Sequence, residues 1–454
     1  MLQGGRPMEA TNQTVGTILQ HLRSHREPFV LHKGTLPLWS DESRHQRAYA
    51  QNPELYALMG VAKGVLPQGR SRILFQLLRT SRQGMAKDAR QILESITNFL
   101  LSILHPDRIL TVFLALRRVR ANHKHTSKAI INYILNHPNL EDMVNCRRPA
   151  VVDCLEHAMG KNVARACAKM LSLPELADEK YLRRHLLKFV RDVERTTVIF
   201  PLLYQRGNSL TGNGEYKLAH TQNLAKFESQ SERPKTITAT NRGDISATLI
   251  HLYRGGTSAE LEVALQRYVE EAASKLPRFS GKLALILDAS NSTKGYGDRE
   301  YCCISQSVAL KLVLEKCCMN LQIFPVGGSG HIPAPEGHTD IATALLDALE
   351  TQPDLVAIVS DGYENVYPGE LARVVATLPQ IGINAPVVFC HSKFSNNDDL
   401  SLRRPATNLP ELEFWHQEDF EDLLIALIAM ADGNTTSVGL RDFLLEKLDL
   451  VSSQ

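Results

Sequence analysis

Two rhythms of apolar residues divide this chain. Over Ile92–Leu104, the residues Ile92, Leu93, Ile96, Phe99, Leu100 and Ile103 recur every three or four positions, the spacing of one helix face. Pro106 interrupts that stripe, Asp107 fits an N-cap, and Ile109, Leu110, Val112, Phe113 and Leu116 supply the next stripe. Ala121–His125 is a polar connector, after which Thr126 is placed to cap a helix carrying Ile130, Ile131, Ile134 and Leu135. Further helices fit Val151–Met159, Asn162–Leu171 and Lys180–Thr196. Short helices joined by short loops predict an all-α, HEAT-like helical-repeat module over residues 1–255. Residues 205–245 stand apart within it. Arg206–Gly214 is rich in turn residues and Lys235–Asp244 in Thr and Asn, so long loops are expected there, with one helix near Ala219–Phe227. A connecting helix over Ser258–Lys275, with Leu261, Leu265 and Val269 on one side, fills most of residues 256–281.

From Lys282 the rhythm changes. Short apolar-rich runs at Leu283–Leu287, Leu321–Val326, Leu355–Ser360, Ala385–Cys390 and Leu412–Trp415 read as strands, the first and third of them buried. Between and after them, helices fit Tyr301–Met319, Ile341–Leu349, Gly369–Leu378 and Asp419–Ala431. Alternation of this kind predicts an α/β doubly wound, mostly parallel sheet over residues 282–433, with residues 434–454 as a C-terminal tail or helix. Ligands of such sheets bind at the carboxyl ends of the strands.

The candidate chemistry lies at those ends. The first strand closes in Asp288-Ala289-Ser290-Asn291-Ser292. Gly337-His338-Thr339-Asp340 follows a Gly/Pro-rich loop and opens a helix, and the strand at Leu355–Ser360 runs into Asp361-Gly362. Two carboxylates and three hydroxyls at one sheet edge form the all-oxygen set that a hard divalent cation takes, Mg²⁺ first among them. Asp and Ser are also common caps and turn formers, so each piece alone is weak; the three pieces in order are the signal. The set resembles the metal-ion-dependent adhesion site of von Willebrand factor type A domains. That resemblance implies metal roles for Asp288, Ser290, Ser292, Thr339 and Asp361, with the two Asp acting partly through water. It also implies an open coordination position that accepts an acidic group from a partner.

Composition narrows the class. No apolar run is long enough for a transmembrane helix and no N-terminal apolar segment suggests a signal peptide, so a cytoplasmic protein is expected, with no membrane partner. Eight Cys without zinc-like spacing read as free thiols. Gly327-Gly328-Ser329-Gly330 lacks the Gly-Lys-Ser/Thr of a phosphate-binding loop, and no His base is placed beside the serines, so no catalytic residue is nominated and a non-catalytic binding protein is expected.

The formal net charge of +2 hides a split: residues 1–240 carry 35 Lys+Arg against 20 Asp+Glu, and the remainder is acidic. A basic helical part suggests a polyanion, with nucleic acid the candidate. Arg117, Arg118, Arg120, His123, Lys124 and Lys128 cluster at one helix end and its connector. Arg147 and Arg148 sit in the next connector, and Arg184, Lys188 and Arg191, with Arg195, step along one face of the Lys180–Thr196 helix. Most charge runs are only solvated faces. His123 and His125, with no Cys or acidic neighbour, read as hydrogen-bonding loop residues.

The combination, a basic helical array followed by a type A domain, resembles the TROVE family of Ro-type RNA-binding proteins. The residues that carry the likeness are Leu116–Thr126 and the pairing of Gly-His-Thr-Asp with Val-Ser-Asp-Gly. It implies a ribonucleoprotein in which a ring of helical repeats, closed by the type A domain, binds small non-coding or misfolded RNA. The alternative is a cytosolic adaptor that uses the metal to take a carboxylate from a protein partner, for instance beside a MoxR-type AAA ATPase.

Overall fold

A computed structural model describes residues 13–32, 35–205, 244–256, 259–364, 366–395, 398, 403–431 and 434–452. The loops expected within residues 206–243, and the helix expected near Ala219–Phe227, fall outside these described residues. The chain forms two compact units, Thr17–Ser229 with Glu446–Gln454, and Gln230–Leu445 with Met1–Gly16.

In the first unit the described residues form α1 (Gln13–Ser24), α2 (Glu42–Gln51), α3 (Pro53–Leu58), α4 (Pro67–Arg79), α5 (Lys87–Ile103), α6 (Pro106–Arg118), α7 (Lys124–Leu135), α8 (Leu140–Met159), α9 (Lys161–Ser172), α10 (Glu179–His185) and α11 (Val193–Leu202). The apolar stripes foreseen on α5 to α7 are buried, among them Leu93, Ile96, Leu100, Phe113, Ile130 and Ile134. Three local expectations are corrected. His105, not Asp107, caps α6, its ring accepting from the Asp107 N–H, and Pro106 takes the first helical position, where it needs no donor. α7 begins at Lys124, two residues before Thr126, whose hydroxyl instead donates to the Leu78 carbonyl. The connector foreseen at Arg147 and Arg148 is a break inside α8, where two helices meet across a kink. α8 is kinked there, with Arg147 at φ −133°, because the ring of Pro149 crowds the preceding turn. The helix expected over Lys180–Thr196 is two helices and a 3₁₀ turn. Leu186 leaves helical space at φ −128°, and Asp178 and Asp192 each cap a new start.

The second unit holds α12 (Ile245–Tyr253), α13 (Ala259–Ala273), β1 (Phe279–Ala289), α14 (Cys302–Cys317), β2 (Cys318–Gly327), α15 (Ile341–Glu350), β3 (Leu355–Ser360), α16 (Glu370–Thr377), β4 (Val387–Ser392), β5 (Glu411–Phe414) and α17 (Phe420–Met430). α18 (Asn434–Ser452) follows. The five strands are parallel throughout and ordered β2-β1-β3-β4-β5. All positions of β3 and β4 are buried, so both faces are covered, as continuous apolar runs require. Ala284, Ile286, Val356, Ile358 and Phe389 form one face with α15 and α16. α14 packs on the sheet and is itself overlaid by α12 and α13, which is why it is buried almost all round, Ser305, Gln306, Ser307 and Lys311 included. All eight cysteines are free, and among the described residues no helix is long and apolar enough to cross a membrane.

Ile286 sits wholly buried in the central face. Ile286→Ala should cost about 2–5 kcal/mol in urea denaturation, by lost burial and an unfilled cavity.

Candidate functional site

The strand order reverses direction between β1 and β3, and a crevice opens at their carboxyl ends. Leu287 pairs with Val359, so Asp288 and Asp361 leave adjacent strands side by side. Thr339 is delivered to the same point by the loop before α15, whose N-cap, Asp340, accepts from the Thr343 N–H. Two glycines let the loops close. Gly327 has φ +82°, and a Cβ there would lie 2.3 Å from the Glu336 carbonyl; Gly362 has φ +88°, and a Cβ there would lie 2.2 Å from the Arg403 carbonyl.

All five residues singled out from the sequence meet here. Asp288 accepts from the Ser290 N–H at 3.0 Å and from the Ser360 hydroxyl at 2.6 Å. The Ser290 and Ser292 hydroxyls are 3.0 Å apart, and Thr339 donates to Ser290 Oγ at 2.8 Å. Ser292 donates to Asp361 Oδ1 at 3.4 Å, and the Tyr363 N–H to the same oxygen at 3.2 Å. The other oxygen, Asp361 Oδ2, is buried and has no hydrogen-bond partner. Asp288, Ser290, Thr339 and Asp361 are all at most 1% exposed.

Burial raises the Asp288 carboxyl above the usual carboxylate range, against the pull of Ser360 and Ser290. Burial, then the charge of Asp288, pushes Asp361 up to about 7. Two carboxyls are thus held together in a dry site where ionising both is disfavoured and one oxygen is unsatisfied, an arrangement that a cation relieves. The hydroxyl spacings suit the ion: bonds of about 2.0–2.1 Å in an octahedron place neighbouring oxygens about 2.9 Å apart.

Sequence reasoning passed over the support. Ser360 fixes Asp288 from the neighbouring strand. His391, paired in register with Ser360, donates from Nε2 to the Asp361 carbonyl at 2.8 Å and meets Glu411 through Nδ1 at 2.9 Å. Arg403 donates to that carbonyl at 3.3 Å. Ser360 was legible as the residue before Asp361; His391 and Arg403 had no local signal.

The basic residues are dispersed in their roles. Arg117 pairs with Asp153 at 2.7 Å, Lys128 with Glu94 at 2.6 Å, and Arg147 with Asp107 at 2.8 Å. Arg148 donates to the carbonyls of Leu203 and Gln205, and the His123 ring meets the Arg79 carbonyl at 3.1 Å. Arg118 is half-buried, while Arg120, Lys124, Arg184, Lys188 and Arg191 are exposed. Because the helix breaks at Leu186, Arg184, Lys188, Arg191 and Arg195 do not line one helix face. Lys188 lies over the Phe189 ring, and Arg195 donates to the carbonyls of His137 and Pro138.

No protein-family model matches the chain, and no curated protein matches it. Among solved structures, the crystal structure of Deinococcus radiodurans Ro (RSR) protein matches. It is 10% identical, covers 96% of this chain and 100% of that one, and superposes with a TM-score of 0.36. A superposition that loose assigns no residue a role.

Because the folded Asp361 binds its proton more tightly than an unfolded carboxylate, its contribution to stability is full below the ordinary carboxylate pKa. It is lost as the pH rises to about 7. In EDTA, melting midpoints should fall across that window. Asp361→Asn should flatten the fall and stabilise the chain above it, by on the order of 1–3 kcal/mol.

Proposed function

We propose that the chain is a non-catalytic, cytoplasmic binding protein of Ro type whose α/β unit is a von Willebrand factor type A domain. The observation that carries this reading is the convergence of Asp288, Ser290, Ser292, Thr339 and Asp361 at the β1/β3 crevice, with a buried, unsatisfied carboxylate oxygen. Ser290, Ser292 and Thr339 would hold a divalent cation, Mg²⁺ in the first instance, with Asp288 and Asp361 balancing its charge directly or through water. The ion would supply a Lewis-acidic point that takes an acidic group. Ser360 and His391 hold the two acidic segments in place for it.

The HEAT-like helical module would meet RNA. The net excess of Lys and Arg over residues 1–240 supports this, together with the exposed Arg120, Lys124, Arg184, Lys188 and Arg191. Small non-coding or misfolded RNA is the substrate class that the sequence resemblance implies. One observation favours the adaptor reading instead: Arg117, Lys128 and Arg147 are already paired with acidic neighbours, which leaves less charge for phosphate.

Two arms separate these readings. In filter binding, the chain should retain structured RNA at low salt with an affinity that falls steeply as salt rises. The triple variant Arg184→Glu, Lys188→Glu, Arg191→Glu should lose at least tenfold in affinity and show a shallower salt slope. No RNA retention at low salt refutes the Ro reading. A Mg²⁺-dependent pull-down of a protein, lost in Asp288→Ala, then establishes the adaptor.

A further inference from the structure

A second cluster of potential metal ligands lies in the helical unit, built from two pairs spaced four residues apart. His21 lies in the last turn of α1 and His25 just beyond it. Asp41 precedes α2 and His45 is in its first turns. Residues four apart on a helix share a face, so each pair presents both side chains to one point. Asp41 occupies an N-cap position yet makes no capping hydrogen bond. Its carboxylate is turned inward, with Oδ2 at 2.7 Å from His21 Nε2, 3.2 Å from His45 Nε2 and 3.5 Å from His25 Nε2. Ligand atoms of His21, Asp41 and His45 all lie within 4.8 Å of one another, the sole such group among the described residues.

We propose that His21, His25, His45 and Asp41 form a binding site for a borderline-soft divalent cation, Zn²⁺ by preference. Three imidazoles and one carboxylate are a tetrahedral zinc set, and bonds of about 2.0–2.1 Å place the ligand atoms about 3.3 Å apart. The measured separations from Asp41 Oδ2 lie around that value. His25 Nε2 is buried and makes no hydrogen bond; it lies 3.5 Å from Asp41 Oδ2 and 3.6 Å from a Glu27 carboxylate oxygen, at the edge of the His21–Asp41–His45 group.

The surroundings act as outer supports. Tyr56 OH lies 2.6 Å from His45 Nδ1, which leaves Nε2 to face the cluster. Arg72 donates to Asp41 Oδ1 at 2.8 Å, on the oxygen turned away from the histidines, and to the Glu27 carbonyl at 2.9 Å. Its charge orients the carboxylate and opposes the cation, so the geometry must outweigh that repulsion. Burial lowers the pKa of both His21 and His45, keeping them in the neutral form that binds metal. Trp39 borders the cluster on its apolar side, its ring 5.5 Å from that of His45, and Phe75 packs edge-on against Trp39 at 5.2 Å.

The full chain, stripped with EDTA, is titrated with Zn²⁺ and separately with Co²⁺. Wild type should take up one Zn²⁺ per chain, and Co²⁺ should give the intense visible bands of tetrahedral coordination and quench tryptophan fluorescence. His25→Ala removes a partly exposed side chain that makes no hydrogen bond, so it should fold and bind at least tenfold more weakly; His45→Ala should lose the bands. Asp361→Asn should bind as wild type does, which separates this site from the oxygen site. Absence of uptake by stripped wild type, or uptake unchanged by His25→Ala, overturns the proposal.

Discussion

Asp288 and Asp361 end neighbouring parallel strands, and the β2-β1-β3-β4-β5 order gives the chain no means of separating them. In water two such carboxylates would repel weakly. Here both are buried, and the apolar runs that make β1 and β3 good central strands are what exclude the water. The same sequence feature that stabilises the sheet therefore creates a local deficit of positive charge. The loops are shaped around that deficit. Three hydroxyls and the Ser290 and Tyr363 backbone amides soften it, and Gly327 and Gly362 permit the close approach on which the hydroxyls depend.

The two clusters pose opposite electrostatic problems. At the sheet edge, two carboxylates share hydroxyls and lack a counter-charge, which suits a hard cation. In the helical unit, one carboxylate is surrounded by imidazoles and a guanidinium. For Asp41, burial alone would raise the pKa, but hydrogen bonds from His45 and His21 and the charges of His45 and Arg72 outweigh it and hold the carboxyl far below its usual range. A soft or borderline cation fits the second arrangement and a hard one the first. Under the two proposals the chain would respond to divalent metals for two separate reasons, which chelation experiments must distinguish.

Much of the α/β unit was legible because its signals are local. A buried parallel strand is a short apolar run with a turn at its end, and Leu355–Ser360 was recovered residue for residue. The oxygen ligands sit at those ends, so the strand pattern located them as well. The helical unit was harder to read. Its apolar stripes fixed α5 to α7, but caps decide where helices stop, and Asp178 and Asp192 outweighed the apolar spacing across Lys180–Thr196. That break scattered the row of Arg184, Lys188 and Arg191. The Asp41 cluster has no local signal, because two four-residue spacings twenty positions apart become a site only where the end of α1 meets the start of α2 in the fold. His391 and Arg403 were hidden for the same reason, since β4 and the segment beyond it meet Asp361 only in the folded sheet.

The central claim, that the Asp288–Asp361 crevice is built for a hard divalent cation, is tested most directly by anomalous diffraction from crystals grown with Mn²⁺ in place of Mg²⁺. The account predicts a single strong anomalous peak there, within bonding distance of the Ser290, Ser292 and Thr339 hydroxyls, that vanishes in Asp288→Ala crystals. A crevice with no peak at saturating Mn²⁺ would contradict it.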